Sequence, residues 1–434
     1  MNEVGHPARA VADLSAEMGE AARALLAALL LTCLLVTFQP FQTTFAGAVN
    51  SGNAVNQIGY GLLGVGAIAA MLTVTPRPAL RALLRPTWIL MGVVLLQSAL
   101  HSPWPDASLR AVLFALAAMM ATAAVLCLPA NLRGFRFALA FAALTVLALC
   151  YVGVAVLPAA IHDGSGPEPQ HAGLWRGLYP HKNMAGPVMA VLFFAGLYLW
   201  RCRWRFVGLS IALPAAIFVV HTGSKTSGAL LPLVALLVAM GRRIGGRRLP
   251  VIVLSVTLVC LAALTLGAAL SPSLYALLQW ILPGTTFTGR LDLWRFALDT
   301  SADHRWTGLG FESFWTTPVV MSAELPIELT WDPRGIVNAH NGYLDLAIAL
   351  GWPGLAVAVA MIVILPFADF LRIGQGGEDV RLADFFLMVL AFALLNAMLE
   401  SFLFARGNPV WITAWMAIVG LRLLAVRSRD LNRL

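Results

Sequence analysis

Charge is scarce in this chain. Asp, Glu, Lys and Arg make up 12% of its 434 residues, against a hydrophobic fraction of 59% and a mean hydropathy of +0.81. Water-soluble domains carry roughly twice that charge, so lipid is the solvent for most of the chain. Metal-ligand spacings are also lacking: there is no H-E-x-x-H, C-x-x-C, D-x-D or close His pair to hold Zn²⁺ or the Mg²⁺ of a sugar-nucleotide enzyme. No Walker-type loop, no G-x-G-x-x-G after a strand and no G-x-S-x-G elbow is present, which leaves ATP, dinucleotide and serine-hydrolase chemistry without support. The five cysteines (Cys33, Cys127, Cys150, Cys202 and Cys260) fall in apolar runs or one inner loop, so they suggest packing and not an external disulfide framework. Internal repeats, heptads and low-complexity tracts are missing as well.

What is present is a series of apolar runs. A spanning helix needs about 20 apolar residues, and such windows recur near residues 21–40, 55–74, 87–101, 109–128, 135–158, 185–200, 205–221, 227–241, 250–270, 341–368, 382–404 and 409–426. The expected fold is an all-α polytopic membrane protein, a single integral-membrane domain over 1–434. It has about 12 transmembrane helices, both termini cytoplasmic and a large periplasmic loop with short interfacial helices. Cation placement agrees: with the N-terminus inside, 20 of the 29 Lys and Arg residues fall in cytoplasmic segments. The net charge of +8 and pI near 9.7 are therefore a topology signal and not a nucleic-acid footprint. Ala46-Gly47-Ala48 resembles a signal-peptide cleavage site, but the acidic n-region, with Glu3, Asp13, Glu17 and Glu20, favours a retained first helix.

Polar residues collect in two long outer segments, residues 158–184 and 271–339, and every histidine except His6 lies on the predicted outer side. Four constellations stand out. Thr288 could cap a helix that starts Gly289-Arg290-Leu291-Asp292, with Leu291, Trp294 and Leu298 on one face lying in the interface. Free N–H groups beside the Arg290 guanidinium would then bind phosphate at headgroup depth, or Arg290 would simply snorkel. In the second, Asn338 is a plausible N-cap that puts His340 in the first turn of a long helix, beside Asn341 and Asp345. The positive helix end would keep its imidazole neutral and able to accept a proton, although a capping or headgroup bond explains it as well. The third is Lys225 between Ser224 and Thr226, and the fourth Tyr179-Pro180-His181-Lys182-Asn183 with Arg176 nearby. Lys225 is a cation framed by hydroxyls or a Lys that merely snorkels, and the Tyr179–Asn183 segment could meet an anionic headgroup or be ordinary loop-end polarity.

Residues 290–294, Gly308-Leu309-Gly310-Phe311-Glu312-Ser313-Phe314-Trp315 and residues 340–354 resemble, in order and spacing, the O-antigen ligase and polysaccharide polymerase superfamily. The resemblance implies transfer of a glycan from an undecaprenyl-diphosphate carrier to an acceptor hydroxyl, without metal or other cofactor, at the periplasmic face of the bacterial inner membrane. It implies His340 as the catalytic base, with Arg290 and Lys225 on the diphosphate. Arg176, His181, Lys182, Asn341, Asp292 and Glu312 are accessory candidates. Partners would be the lipid-linked donor, lipid A-core or a glycan as acceptor, and membrane lipids, with no nucleic acid. Lys225 departs from the Arg more often expected in ligases and, with the His181-Lys182-Asn183 and Phe311–Trp315 motifs, leans toward the exopolysaccharide-polymerase branch. Ligation onto lipid A-core and repeat-unit polymerisation therefore both stand, ligation first.

A transporter or lipid flippase is the rival from another class, since twelve spans are common there. Arg110, Asp345, Asp384 and Glu400, however, sit near predicted helix ends and not at mid-membrane, and a long outer loop suits an enzyme better. A structural scaffold would need only the topology and would leave the His and Arg motifs without a role.

Overall fold

A computed structural model describes residues 7–37, 39–42, 54–164, 169–324, 332–374 and 376–431. Ala46-Gly47-Ala48 lies outside them. The structure is 77% helical, and among the described residues no strand forms; a single bridge joins Ile161 to Trp175. The longer helices are α1 (Pro7–Val36), α2 (Ala54–Val74), α3 (Pro86–Leu100), α4 (Pro105–Cys127), α5 (Leu132–Val156), α6 (Lys182–Arg201), α7 (Arg205–His221), α8 (Lys225–Gly245), α9 (Arg248–Leu270), α10 (Pro272–Ile281), α11 (Arg290–Thr300), α12 (Gly342–Arg372), α13 (Gly377–Asn396) and α14 (Pro409–Leu431).

Among the described residues nine helices, not twelve, are long and apolar enough to cross a membrane. The number is ten when the short helix Arg77–Leu83 and α3, which meet at 47°, count as one bent span. The two remaining expected runs are helical too, but α7 has only 17 residues, and α13 carries Glu378, Asp379, Arg381 and Asp384. The multi-pass character read from composition stands on these helices.

The bundle is layered from the inside outward. Every residue of α13 from Leu382 to Asn396 is buried, and 83% of Pro409–Ser428 and 72% of α6 are buried as well. Outer helices such as α8 (18%) and α2 (22%) turn most of their surface outward. Asp384 is the acid of α13 that this layering buries, and a buried carboxylate must be paired. Asp384, fully buried, takes a bond from Arg201 Nη2 at 2.8 Å. Asp369, near the far end of α12, is 0% exposed and faces Arg85 at 2.5 Å, Arg372 at 3.6 Å and Arg422 at 3.7 Å, which locks together the end of α12, the start of α3 and α14.

Two expected runs are interrupted in ways that matter for function. The run at 382–404 stops being helical at Asn396, and residues 397–408 form a connection to α14. The run at 341–368 is broken at Gly351, whose φ of 69° and ψ of 172° lie outside the helical region. A Cβ there would lie 2.6 Å from the Trp306 carbonyl oxygen, so the bend requires glycine. The freed backbone groups pair with residues 305–310: Leu309 N–H donates to Ile348 O, Gly310 N–H to Ala349 O, and Trp352 N–H to Arg305 O. The first two turns of α12 thus stand apart from its long remainder, tied to the loop that carries Gly308-Leu309-Gly310.

Candidate active site

The chain turns sharply into α11. Phe287, Thr288 and Gly289 all have positive φ (50°, 62° and 81°), and Gly289 is the N-cap, without a side-chain bond. The expected Thr288 cap is therefore not made, and Thr286 Oγ1 accepts the Gly289 N–H at 3.2 Å. Arg290 opens the helix as expected, but the apolar face does not lie in lipid. Leu291 and Trp294 are buried in the core and Leu298 packs against it. The reason is partly polar: a buried indole N–H needs an acceptor, and Trp294 Nε1 donates to Ala339 O at 2.8 Å. This bond joins α11 to the residue before His340.

Asn341, not Asn338, caps α12. Its Oδ1 accepts the N–H groups of Tyr343 and Leu344, both at 3.1 Å, while its Nδ2 donates to Met398 O at 3.0 Å. The Asn341 N–H donates to Ser401 Oγ at 3.0 Å. Asn338 Oδ1 instead accepts the His340 N–H at 3.0 Å. His340 therefore sits just outside the helix and not in its first turn, with φ of 49°. A non-glycine residue in that region persists only where its surroundings fix it. Here they do: Asp345 Oδ1, one turn into α12, accepts Ala339 N–H at 3.1 Å and Trp315 Nε1–H at 2.7 Å.

Glu400 gathers the site. It lies in the connection 397–408, which helix α13 would have consumed had it run its expected length. Its Oε1 accepts from Arg290 Nη2 and from Asn183 Nδ2, each at 3.2 Å, and its Oε2 lies 3.3 Å from His340 Nδ1. Arg290 Nη1 also donates to Leu399 O. A carboxylate oxygen accepts, so in the neutral imidazole the Nδ1 facing it carries the proton and Nε2 keeps the lone pair. The side chains of Arg290, His340 and Glu400 are 21%, 32% and 15% exposed, which leaves them reachable yet sheltered enough for charge to matter.

The start of α6 reaches the same place. His181 caps it through Nδ1, which accepts the Asn183 N–H at 3.1 Å, and His162 Nε2 accepts the Lys182 N–H at 3.2 Å. Lys182 is buried. Further along α6, Gly186 abuts Ser224 and Ser227; a Cβ there would lie 2.9 Å from Ser224 Cβ. Ser224 caps α8 by accepting the Ser227 N–H, and so brings Lys225 close to the start of α6. Lys225 is exposed, and no hydrogen bond or ion pair joins it to Glu400, His340 or Arg290 among the described residues.

Three accessory candidates face elsewhere. Arg176 is buried as a loop strut, with Nε donating to Ala159 O at 2.6 Å and Nη1 to Pro180 O at 3.3 Å. Desolvation lowers its pKa from the ordinary value and nearby Asp163 opposes this. Asp292 pairs with Arg295 at 3.9 Å, and Glu312 with Arg406 at 3.0 Å. Desolvation raises the Glu312 carboxyl above its usual range, and the Arg406 guanidinium pulls it back. Asn183, from the fourth sequence constellation, joins the site, and so does Glu400, whose sequence hint was an ionisable residue closing an apolar run.

Arg290, His340 and Lys225 all fall within one stretch that is recognisable by comparison with known proteins. Residues 210–359 match the O-antigen ligase family. The chain is similar to that family over those residues, and the similarity suggests glycosyl transfer of the ligase or polymerase kind. Glu400 and Asn183 lie outside the matched residues. No curated protein matches the chain.

Proposed function

We propose that the chain is an inverting glycosyltransferase of the O-antigen ligase type, acting on the periplasmic side of the bacterial inner membrane as one membrane-embedded unit with residues 158–184 and 271–339 outside. The donor is a glycan on undecaprenyl diphosphate and the acceptor a hydroxyl on lipid A-core. The observation that carries this reading is the Glu400 cluster, in which an imidazole with a free Nε2 and a guanidinium share one carboxylate.

In the proposed reaction His340 Nε2 takes the proton of the acceptor hydroxyl as its oxygen attacks the anomeric carbon. The bond from that carbon to the diphosphate oxygen breaks, and undecaprenyl diphosphate leaves with the electron pair. Arg290 meets the charge developing on the diphosphate, with Lys225 approaching from α8. A diphosphate is a good leaving group, so cations can serve where a metal otherwise would. Among the described residues no pair of carboxylates flanks the site in the manner of a retaining enzyme, and a single displacement inverts the anomeric centre. Glu400 holds the His340 tautomer and keeps Arg290 at the mouth of the site.

The test uses the purified full chain in lipid vesicles with an undecaprenyl-diphosphate glycan, offered either lipid A-core or a second lipid-linked repeat. Glycan on lipid A-core supports ligation. Chain growth on the second repeat alone makes the protein a polymerase, the reading that Lys225 in place of the commoner Arg favours. Failure of His340→Ala to abolish transfer, at normal abundance, removes His340 as the base. Movement of intact donor between leaflets without transfer would make the protein a flippase.

A further inference from the structure

Most charged side chains at the active-site end of the bundle are paired: Arg290 with Glu400, Arg295 with Asp292, Arg406 with Glu312, and Arg334 with Asp332. Asp299, His304 and Arg305 are exceptions. Their side chains make no hydrogen bond or ion pair with any described residue, and all three line one cavity of about 170 Å³. Its other wall is apolar and includes Leu270, Ile348 and Trp352. Leu270 ends α9, and Trp352 follows the Gly351 break, where the long part of α12 begins. The cavity therefore opens where two membrane-crossing helices emerge. Trp306, 70% exposed, adjoins Arg305, and Trp280, 80% exposed, lies on α10; indoles so placed mark the headgroup layer of a bilayer.

The chemistry of the lining selects an occupant. The volume is below the ~300–1,000 Å³ of pockets for drug-sized ligands, so it suits a headgroup and not a glycan chain. Arg305 and His304 offer donors to a phosphate, and Asp299 offers an acceptor to a cation. An anionic lipid without a cation would leave Asp299 facing like charge. The apolar wall continues toward the acyl region. Asp299 lies nine residues along α11 from Arg290, about 13 Å at the helical rise, so the cavity is separate from the Glu400 cluster.

We propose that this cavity binds the headgroup of an outer-leaflet phospholipid carrying both a phosphate and a primary ammonium, with the phosphate on Arg305 and His304 and the ammonium on Asp299. The proposal stands apart from glycosyl transfer and is read by binding alone. The full chain, purified and stripped of lipid in detergent, is titrated with phosphatidylethanolamine, phosphatidylcholine or phosphatidylglycerol, and bound lipid is counted by native mass spectrometry. Phosphatidylethanolamine should be retained about tenfold better than the other two, because only its headgroup can both donate N–H bonds to Asp299 and present phosphate to Arg305. Asp299→Asn should erase the preference over phosphatidylcholine, and Arg305→Gln should weaken phosphatidylethanolamine by about tenfold. Both residues are exposed and unpaired, so both variants should fold. Asp303→Asn, an adjacent acid that does not line the cavity, should leave binding unchanged. Equal retention of the three lipids, a preference for phosphatidylglycerol, a preference that survives Asp299→Asn, or an equal effect of Asp303→Asn would each overturn the proposal.

Discussion

Replacing Glu400 by Gln tests the site most directly, because it keeps the shape of the side chain and removes only its charge and acceptor symmetry. Two unit charges 3.2 Å apart interact by roughly 1 kcal/mol at the dielectric of water and 5 kcal/mol at that of a protein surface. The low exposure of Arg290 and Glu400 puts the pair between these limits. The larger consequence concerns His340. A glutamine can turn its NH₂ toward Nδ1, which then becomes the acceptor, and the imidazole proton moves to Nε2. A base protonated on its reacting nitrogen cannot take the acceptor proton. Loss of general-base catalysis or of the correct tautomer costs about 10²–10⁴ in turnover. The assay is single-turnover transfer from an undecaprenyl-diphosphate glycan in vesicles, with donor KM measured in parallel. Glu400→Gln should lower kcat by at least about 10² while donor KM moves little, because Arg290 keeps its bond to the Leu399 carbonyl. Glu400→Asp should recover part of the rate. A kcat within about twofold of the parent, or a loss confined to KM, would refute the idea that Glu400 orients the base.

Trp294→Phe removes the bond from Nε1 to the Ala339 carbonyl and leaves a small cavity where the fully buried indole was. It should cost about 1 kcal/mol for the bond and about as much again for the cavity, with a larger share of kcat lost, seen by comparing melting in detergent with turnover. Asp369→Asn leaves Arg85, Arg372 and Arg422 around a neutral side chain; a thermal melt should show about 3–5 kcal/mol of destabilisation, with no selective effect on donor KM. Gly351→Ala forces a Cβ against the Trp306 carbonyl at positive φ. The strain of about 1–3 kcal/mol should shift the first turns of α12 and lower activity along with Tm. His181 caps α6 through an acceptor nitrogen. His181→Ala should therefore loosen the first turn of α6 by about 1 kcal/mol, whereas His181→Asn should keep a cap acceptor, read by hydrogen exchange at Asn183 and Met184.

The site was legible in part. Arg290 and His340 were marked by charge and motif, and they do come together, although through a left-handed entry at Phe287 to Gly289 and an Asn341 cap that local pattern did not reveal. Asn338 and Asn341 are equally good cap residues in sequence. Only the bonds from Asn341 to Met398 and Ser401, residues of a distant connection, decide between them. The face of Leu291, Trp294 and Leu298 reads as amphipathic whether it meets lipid or protein, since both are apolar. The Ala339 carbonyl settles the matter by giving the indole an internal partner.

Apolar periodicity and scarce charge fixed the solvent of this chain and most of its helices, because the length of an apolar run and the sign of its flanks are local properties. The long segment 271–339 was likewise visible as the place where polarity returns. Tertiary structure decided where two of those runs break, at Asn396 and Gly351, since a helix end depends on what the freed backbone groups can meet. It also decided that Glu400, 110 residues from Arg290 in sequence, is the group that joins Arg290 to His340. A half-buried carboxylate must find its partners wherever the fold brings them, and no spacing along the chain records that distance.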